Sequence, residues 1–306
     1  MDLTKGKIAD GLRGLGLDRD QSSIVIVHAS LRSFGHVVEG APAVCRALVS
    51  TCGTVLFPAA TGDHSQLPAP PGLVRPHNAF HSASTWASFD QALEHPVPFS
   101  PDLPIDRELG AIPETARQLF PDGQRSRHPL FSYLGVGPQA RLLVEAQTLD
   151  WPLGPIEALA ALGGDVLLLG TGHTSNTTIH LAEQRLGRSR FYRYAKVGAR
   201  AWAELPNIPG ESHRFDEIEP LLTSVTSEIH IGDCLARRVP AAEVLAAADR
   251  LIRADPAALL CDAPGCRCEA ALDQRLECLA GHPASPKPDG GWGADRLAPA
   301  ETERRS

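Results

Sequence analysis

Residues 164–184 read Gly-Asp-Val-Leu-Leu-Leu-Gly-Thr-Gly-His-Thr-Ser-Asn-Thr-Thr-Ile-His-Leu-Ala-Glu-Gln, and this pattern predicts a strand, a tight turn and a helix. The apolar run at 166–169 lies between glycines and is typical of a strand buried on both faces. Gly170 and Gly172 permit a sharp turn, and the polar residues after them include N-cap types. These polar side chains therefore gather at the carboxyl end of a strand, where open α/β sheets place their ligands.

His180 is the principal candidate for chemistry in this stretch. On the predicted helix, spacings of three and four place these residues on one face: Asn176, Thr177, His180 and Glu183 or Gln184. Imidazole accepts a proton near neutral pH with little tuning, which favours a general base. The alternative is a histidine packed under the helix with its ring nitrogens satisfied locally. His173 lies on the preceding loop and is not assigned to the chemistry.

Length and composition restrict the class of protein. The 306 residues allow one or two domains, and 43% apolar with 21% charged residues is typical of a soluble globular protein. The formal charge of −7 argues against a nucleic-acid partner and is compatible with a cationic substrate. The sequence shows neither an apolar signal region nor an apolar run of about 18 residues. We therefore expect a cytoplasmic protein with no membrane partner.

A second strand and turn occur near the start of the chain. Residues 22–28 form another buried-strand pattern, and small polar residues follow until Gly35. Free backbone amides in that turn could face a ligand anion, although an ordinary connection is the alternative. A helix at 41–51 and a strand at 54–57 come next, so the alternation indicates an α/β fold.

Residues 62–107 interrupt this alternation with two clusters of prolines. Proline is excluded from helix interiors, so we expect a long, largely irregular insertion in which only the proline-free middle could form a short helix. Long loops in compact domains are commonly lids, and this one is expected to cover the active site. Four histidines are interspersed, but their spacing matches no metal site. They are His64, His77, His81 and His95.

Four motifs together resemble the aminoglycoside 3-N-acetyltransferase family, and the resemblance extends over roughly residues 5–255. They are Val-His-Ala-Ser-Leu-Arg-Ser-Phe-Gly (27–35), Gly-Ala-Ile-Pro-Glu (110–114), Arg-Ser-Arg-His-Pro-Leu-Phe-Ser (125–132) and Leu-Gly-Thr-Gly-His-Thr-Ser-Asn-Thr-Thr-Ile-His-Leu-Ala-Glu (169–183). The implied fold is α/β, a three-layer arrangement around a mixed central sheet that is distinct from the histone-type acetyltransferases. The implied cofactor is acetyl-coenzyme A.

The resemblance also implies roles for individual residues. The turn at 29–31 resembles the segment whose backbone meets the pyrophosphate and pantetheine of coenzyme A, and His180 resembles the general base. The thioester oxygen also needs donors, which backbone amides near Ser30 or the Thr177 hydroxyl could supply. The positions implied at the coenzyme are His28, Ala29, Ser30, Leu31, Ile112, Ser126, His128 and Thr177.

Acetyl transfer requires a base, because an amine near neutral pH is mostly ammonium and cannot attack a thioester. His180 would take the proton during direct transfer in a ternary complex. The resemblance implies that a carboxylate from a later segment, here 212–218, steadies the protonated ring. Asp216 and Glu217 are the candidates, with Glu183 on the helix of His180 as the local alternative.

The C-terminal part departs from the family pattern. Residues 1–257 are predicted to be the catalytic domain, 258–282 a cysteine-rich extension and 283–306 a mobile tail with too few apolar residues to pack. The extension contains Cys261, Cys266, Cys268 and Cys278. Structural zinc, a redox-sensitive or disulfide pair, and free buried thiols are all compatible with this cluster, whose one-residue gap is unusual for zinc.

Three functions are compatible with the sequence. The first is acetylation of the 3-amino group on the 2-deoxystreptamine ring of an aminoglycoside, which would confer antibiotic resistance. The second is acylation of another amine in natural-product biosynthesis by a member of the same family. The third is a non-catalytic binding protein with a metal-binding cysteine-rich tail. A polycationic acceptor favours a pocket lined with carboxylates, and the acidic residues of the insertion are not unusually numerous.

Overall fold

The structure is a computed structural model that describes residues 2–18, 23–72, 82–281 and 297–299. Its strands are β1 (Ile24–Ala29), β2 (Thr54–Pro58), β3 (Gln66–Leu67), β4 (Gln124–Arg125), β5 (Tyr133–Val136), β6 (Asp165–Leu169), β7 (Phe191–Lys196), β8 (Ala201–Ile208), β9 (Ser227–Ile231), β10 (Cys234–Pro240) and β11 (Leu297–Pro299). Its helices are α1 (Lys5–Gly14), α2 (Ala41–Thr51), α3 (Gly62–Ser65), α4 (Trp86–Ala92), α5 (Ala111–Leu119), α6 (Ala140–Glu145), α7 (Gly154–Ala161), α8 (Thr178–Arg185), α9 (Glu219–Leu222), α10 (Ala241–Ala254) and α11 (Arg267–Leu279). Single 3-10 turns occur at Leu31–Phe34, Arg107–Leu109, His173–Ser175 and Phe215–Ile218.

A seven-stranded mixed sheet forms the centre of the molecule, in the order β4-β5-β2-β1-β6-β10-β9. Strand β1 pairs in parallel with β2 on one side and with β6 on the other, whereas the outer pairings are antiparallel. Val27 lies opposite Leu167, so the two strands that carry the quoted motifs are direct neighbours. Because β2 and β6 lie on opposite sides of β1, the direction of winding reverses there, as at ligand crevices of open α/β sheets.

Alternate residues of the central strands enter two separate cores. Val25 and Val27 pack into a core with α1, α2 and α5, whereas Ile24 and Ile26 pack into one with α7, α8 and α10. Strands covered on both faces read as continuous apolar runs, which explains the pattern of β1 and β6. The predicted three-layer α/β arrangement around a mixed sheet is confirmed.

A second sheet, antiparallel and in the order β11-β8-β7-β3, was not predicted. Helix α4 packs Phe89 against Trp202 of β8, with ring centroids 5.6 Å apart. The insertion at 62–107 therefore contributes β3 and the expected short helix to this sheet. Residues 73–81, which include His77 and His81, lie outside the described residues, as does most of the predicted tail at 283–306. In the described part of the chain, no helix has the length and apolar character needed to cross a membrane.

Candidate functional site

The turns that follow β1 and β6 meet at the carboxyl ends of these strands. The Ser30 N–H donates to the Leu169 carbonyl oxygen over 2.9 Å. Gly170 has a φ of +66°, and a Cβ there would collide with the Ser33 side chain. A side chain at Gly172 would likewise collide with the Asp216 carboxylate. The glycines of the central motif therefore permit a close approach that brings the two turns together.

His180 lies in the first turn of α8 and makes a short contact with Glu183 of the same helix. The His180 Nδ1 atom is 2.6 Å from Glu183 Oε2, and both side chains are buried. The contact follows from helix geometry, because positions three apart share a face. Among the sequence candidates, Glu183 is thus the carboxylate that the structure brings to His180.

Glu183 is held in turn by Arg188. The Arg188 Nε atom donates to Glu183 Oε1 over 3.0 Å, and its Nη atoms donate to the carbonyl oxygens of Pro256 and Ala258. Burial alone would raise the pKa of Glu183, but the hydrogen bond with His180 and the charge of Arg188 outweigh it and lower the pKa. Glu183 is therefore an ionised carboxylate at neutral pH. The sequence suggested Glu183 as a partner of His180, but it did not indicate Arg188, because no local pattern marks that residue.

The ionised carboxylate fixes the tautomer of the ring. A carboxylate can only accept hydrogen bonds, so Nδ1 of a neutral His180 carries the hydrogen and Nε2 carries the lone pair. Among the described residues, the hydrogen bond of the His180 side chain is the one at Nδ1, and none is found at Nε2. Phe215 packs edge-on against the ring, with centroids 4.8 Å apart. Glu183 at Nδ1 and the ring of Phe215 thus fix the position of the imidazole, and the basic nitrogen Nε2 stays free to accept a proton.

The structure places the other two carboxylate candidates away from His180. Asp216 accepts a hydrogen bond from the Thr174 N–H over 3.2 Å, while Glu217 pairs with Arg214 at the surface. The predicted segment does reach the histidine, but through the ring of Phe215 rather than through a carboxylate. Asp216 instead helps to dock that segment onto the His173–Ser175 turn.

Two other histidines are buried near the same strand ends. His173 accepts a hydrogen bond at Nδ1 from the Asn176 side chain over 3.0 Å, which leaves it structural. Burial and the nearby His173 lower the pKa of His28 to about 4, so His28 is neutral at physiological pH. Among the described residues, His28 Nε2 and Thr178 Oγ1 are buried without a hydrogen-bond partner. Buried polar atoms are rarely left unpaired in the functional state, so both are available to a ligand or water.

Three of the residues implied at the coenzyme have side chains engaged in the interior. Ile112 is in the core, and Ser126 Oγ accepts from the Tyr133 N–H over 2.8 Å. His128 Nδ1 accepts from the N–H groups of Leu130 and Phe131, and burial lowers the pKa of His128 to about 3. Thr177 is half-buried at the start of α8, and its carbonyl oxygen accepts from the His180 N–H.

The cysteine-rich extension forms a second group of candidate ligands. Cys278 lies apart from the other three cysteines, and a histidine from the 212–218 segment takes its place. We call the group the thiol-histidine cluster; its members are His213, Cys261, Cys266 and Cys268. Cysteine spacing could not reveal His213, which precedes Cys261 by 48 residues.

Comparison with known proteins matches residues 26–253 to the family model described as aminoglycoside 3-N-acetyltransferase. A curated relative is aminoglycoside N(3)-acetyltransferase IX from Micromonospora chalcea. It is 32% identical over 227 residues, which is 70% of this chain and 75% of the relative. The match to the family model covers the motifs at 27–35 and 169–183 and ends before the cysteine-rich extension.

Solved structures show the same architecture. The crystal structure of the YokD protein from Bacillus subtilis aligns with a TM-score of 0.72 and 26% identity over 84% of this chain and 96% of that one. The structure entitled AAC-IIIb binary with CoASH aligns with a TM-score of 0.66 and 24% identity, over 83% and 97% of the two chains. This second likeness concerns the fold.

Proposed function

The chain belongs to the aminoglycoside 3-N-acetyltransferase family, and on that basis we propose that it transfers the acetyl group of acetyl-coenzyme A to the 3-amino group of an aminoglycoside. The family is one of acyltransferases, so the chain is an enzyme of that class. The observation that carries the proposal is the pairing of His180 with an ionised, buried Glu183 over 2.6 Å. That pairing leaves the lone pair of Nε2 free to accept a proton from the incoming amine.

His180 acts as the general base. Nε2 would accept a proton of the amine as its nitrogen bonds to the thioester carbon, and Glu183 stabilises the imidazolium that forms. The C–S bond would then break, and the leaving thiolate of coenzyme A would take the proton from Nε2, which returns His180 to its neutral form. The hydrogen bond with His180 and the charge of Arg188 keep Glu183 ionised, and Arg188 also fixes its position. The proton moves to Nε2 while Nδ1 keeps its hydrogen, so Glu183 orients the ring without itself being protonated.

The turn after β1 fits the role of a coenzyme site. Acetyl-coenzyme A would supply the activated thioester, and AAC-IIIb, which shares this fold, is titled as a complex with CoASH. The single-turn helix Leu31–Phe34 leaves the N–H groups of Leu31 and Arg32 without acceptors inside the turn, and the Arg32 side chain is exposed beside them. The Ser30 N–H is already bonded to Leu169, so the anion would meet the amides of the next two residues instead. The unpaired His28 Nε2 at the end of β1 offers a further polar contact.

An aminoglycoside suits the charge of the chain, since a polycation is attracted by a formal net charge of −7. Acylation of a different amine remains the alternative substrate class. In the described part of the insertion, the acidic residues are few and spread over its length. Because few carboxylates are present there to bind a polycation, smaller amines are the acceptors against which aminoglycosides are compared. These residues are Asp63, Asp90, Glu94, Asp102 and Asp106.

The test measures release of coenzyme A thiol with acetyl-coenzyme A and a panel of aminoglycosides and simple amines. We expect turnover with aminoglycosides and a loss of about 10²-fold or more in kcat for His180→Ala. His230→Ala is the matched control, because His230 is exposed on β9 and should leave turnover unchanged. Parental turnover by His180→Ala would refute the assignment of His180 as the base. Turnover confined to simple amines would refute the aminoglycoside as the substrate.

A further inference from the structure

The thiol-histidine cluster has nearly the dimensions of a tetrahedral metal site. All four candidate ligand atoms lie within 4.8 Å of one another. The His213 Nδ1 atom is 3.2 Å from Cys261 Sγ and 3.7 Å from Cys266 Sγ. A zinc ion with Zn–S bonds of about 2.3 Å holds its ligand atoms about 3.8 Å apart. Small side-chain movements would therefore bring the cluster to zinc geometry.

Local backbone structure explains the unusual one-residue gap between two of the cysteines. Cys266 is extended, with a ψ of 147°, and it precedes the first residue of α11. Cys268 lies in the first turn of that helix, so the chain bends between the two side chains. Gly265, with a φ of +75°, closes the preceding turn in which the Cys266 N–H donates to the Ala263 carbonyl oxygen. This turn returns the chain to Cys261.

The histidine has the outer support that zinc ligands usually have. While Nδ1 faces the thiols, Nε2 lies 3.6 Å from Glu211 Oε2. Glu211 is itself fixed by Arg267, whose Nη2 donates over 2.6 Å. A carboxylate on the second ring nitrogen sets the tautomer and orientation of a metal-bound histidine. Arg267 comes from between Cys266 and Cys268, so the outer contacts join the same two segments as the cluster.

The extension (258–281) has little apolar packing to hold it in place. Its own small core consists of Phe191 from β7 with Leu260, Cys268 and Ala271. Helix α11 leaves Leu276 and Leu279 about half exposed, at 48% and 56%. Small apolar cores commonly need a cross-link such as a disulfide or a metal.

We propose that the thiol-histidine cluster binds a structural Zn²⁺ that fastens the extension to the catalytic domain. Three thiolates and one imidazole are a common closed ligand set for structural zinc, and binding releases the thiol protons to solvent. The ion connects the segment that carries His213 and Phe215 to the part of the chain that follows Pro256. Arg188 donates to the carbonyl oxygens of Pro256 and Ala258, so this cross-link also secures the residues that hold Arg188.

Metal content provides the first test. Full-length protein purified under reducing conditions should contain about one zinc per chain. Replacing the zinc with Co²⁺ should give thiolate-to-cobalt charge transfer and the intense visible bands of a tetrahedral site. Cys268→Ser should lose both signals, whereas Cys278→Ser should keep them, because Cys278 lies on the same helix but outside the cluster. Protein that binds no metal even with added Zn²⁺, or equal losses in both variants, would overturn the site.

Rescue and hydrogen exchange provide the second test, which uses neither substrate nor turnover. His213→Ala should weaken zinc binding, while His213→Cys should restore it as a four-cysteine site with a shifted cobalt spectrum. Chelation should increase hydrogen exchange at 256–281 and leave exchange in β1 and β6 unchanged. A disulfide among the three cysteines that persists in protein purified under reducing conditions would show a redox pair instead of zinc. Unchanged exchange after zinc removal would refute the fastening role.

Discussion

The carboxylate that serves His180 is selected by helix register. Glu183 meets Nδ1 because α8 puts positions three apart on one face. The hydrogen bond with His180 and the charge of Arg188 keep Glu183 ionised although it is fully buried. From the sequence, Asp216 and Glu217 were equally plausible, since nothing local shows how a distant segment docks. The structure docks that segment through Phe215, whose ring contacts His180.

We expect Glu183→Gln to lower kcat by about 10²-fold or more, because an uncharged partner no longer stabilises the imidazolium. The KM for acetyl-coenzyme A should change little, since Glu183 is a positioning residue behind the base. Steady-state kinetics that separate kcat from KM check this expectation. The variant also leaves Arg188 buried without its counter-charge, which lowers the free energy of unfolding by up to about 3–5 kcal/mol. Its kinetics should therefore be measured well below its unfolding temperature.

Glu217→Gln and Asp216→Asn are the controls for this assignment. Glu217 pairs with Arg214 at the surface, so its replacement should leave kcat and stability near parental values. Asp216→Asn keeps an oxygen for the Thr174 N–H and should have a small effect. A larger loss of kcat in Asp216→Asn than in Glu183→Gln would return the orienting role to Asp216.

The turn after β6 is sensitive to substitution at Gly170. Gly163 and Gly170 both have positive φ, at +72° and +66°, but only Gly170 faces a close neighbour, the Ser33 side chain. Gly163→Ala should therefore cost about 1 kcal/mol for the backbone conformation alone. Gly170→Ala should cost about 1–3 kcal/mol more from overpacking, together with a loss of activity as the two turns separate.

Chemical denaturation of the matched glycine pair measures this difference, since the backbone term is common to both variants. Replacing Ser33 with glycine in the Gly170→Ala background should recover part of the lost stability. Equal destabilisation of the two alanine variants would mean that the turns are not in close contact.

The strands of the second sheet were harder to predict than β1, β2 and β6 of the central sheet. These three strands are nearly continuous apolar runs because helices cover both faces, and that pattern is visible in the sequence. Strand β7 instead buries Arg193 and Lys196, whose Nζ donates to the Leu93 carbonyl oxygen. Buried charges at these positions break the expected alternation, so β7 gave no readable period in the sequence.

In the molecule as a whole, sequence identified the layers and the turn chemistry but not the long-range partners. The two glycine-rich turns and His180 were found because each is local in the chain. Arg188 and His213 were missed because the extension contributes partners of both, Ala258 at 70 residues from Arg188 and Cys261 at 48 residues from His213, and only tertiary packing brings them together. Family resemblance could not help there, since the matched region ends at residue 253.

Two buried neutral histidines should make the stability of the whole molecule depend on pH. Burial lowers the pKa of His28 to about 4 and that of His128 to about 3. In the unfolded chain both titrate near their ordinary value of about 6.5. Between these values the unfolded state binds more protons than the folded state, so acidification favours unfolding. Stability is therefore fully present above about pH 6.5 and falls as the pH decreases towards 4.

His128→Asn isolates one of these contributions. The Asn side-chain oxygen can still accept from the Leu130 and Phe131 N–H groups, as His128 Nδ1 does, but it does not titrate. Each buried histidine adds up to about 1.4 kcal/mol per pH unit to the slope of the unfolding free energy. We expect denaturant titrations at pH 5.0–6.0 to show a slope lower by about that amount in the variant than in the parent. His230→Asn, at an exposed site, should keep the parental slope, and because carboxylates titrate alike in all three proteins they cancel from the comparison. A parental slope in His128→Asn would show that His128 is protonated as readily in the folded protein as in the unfolded chain.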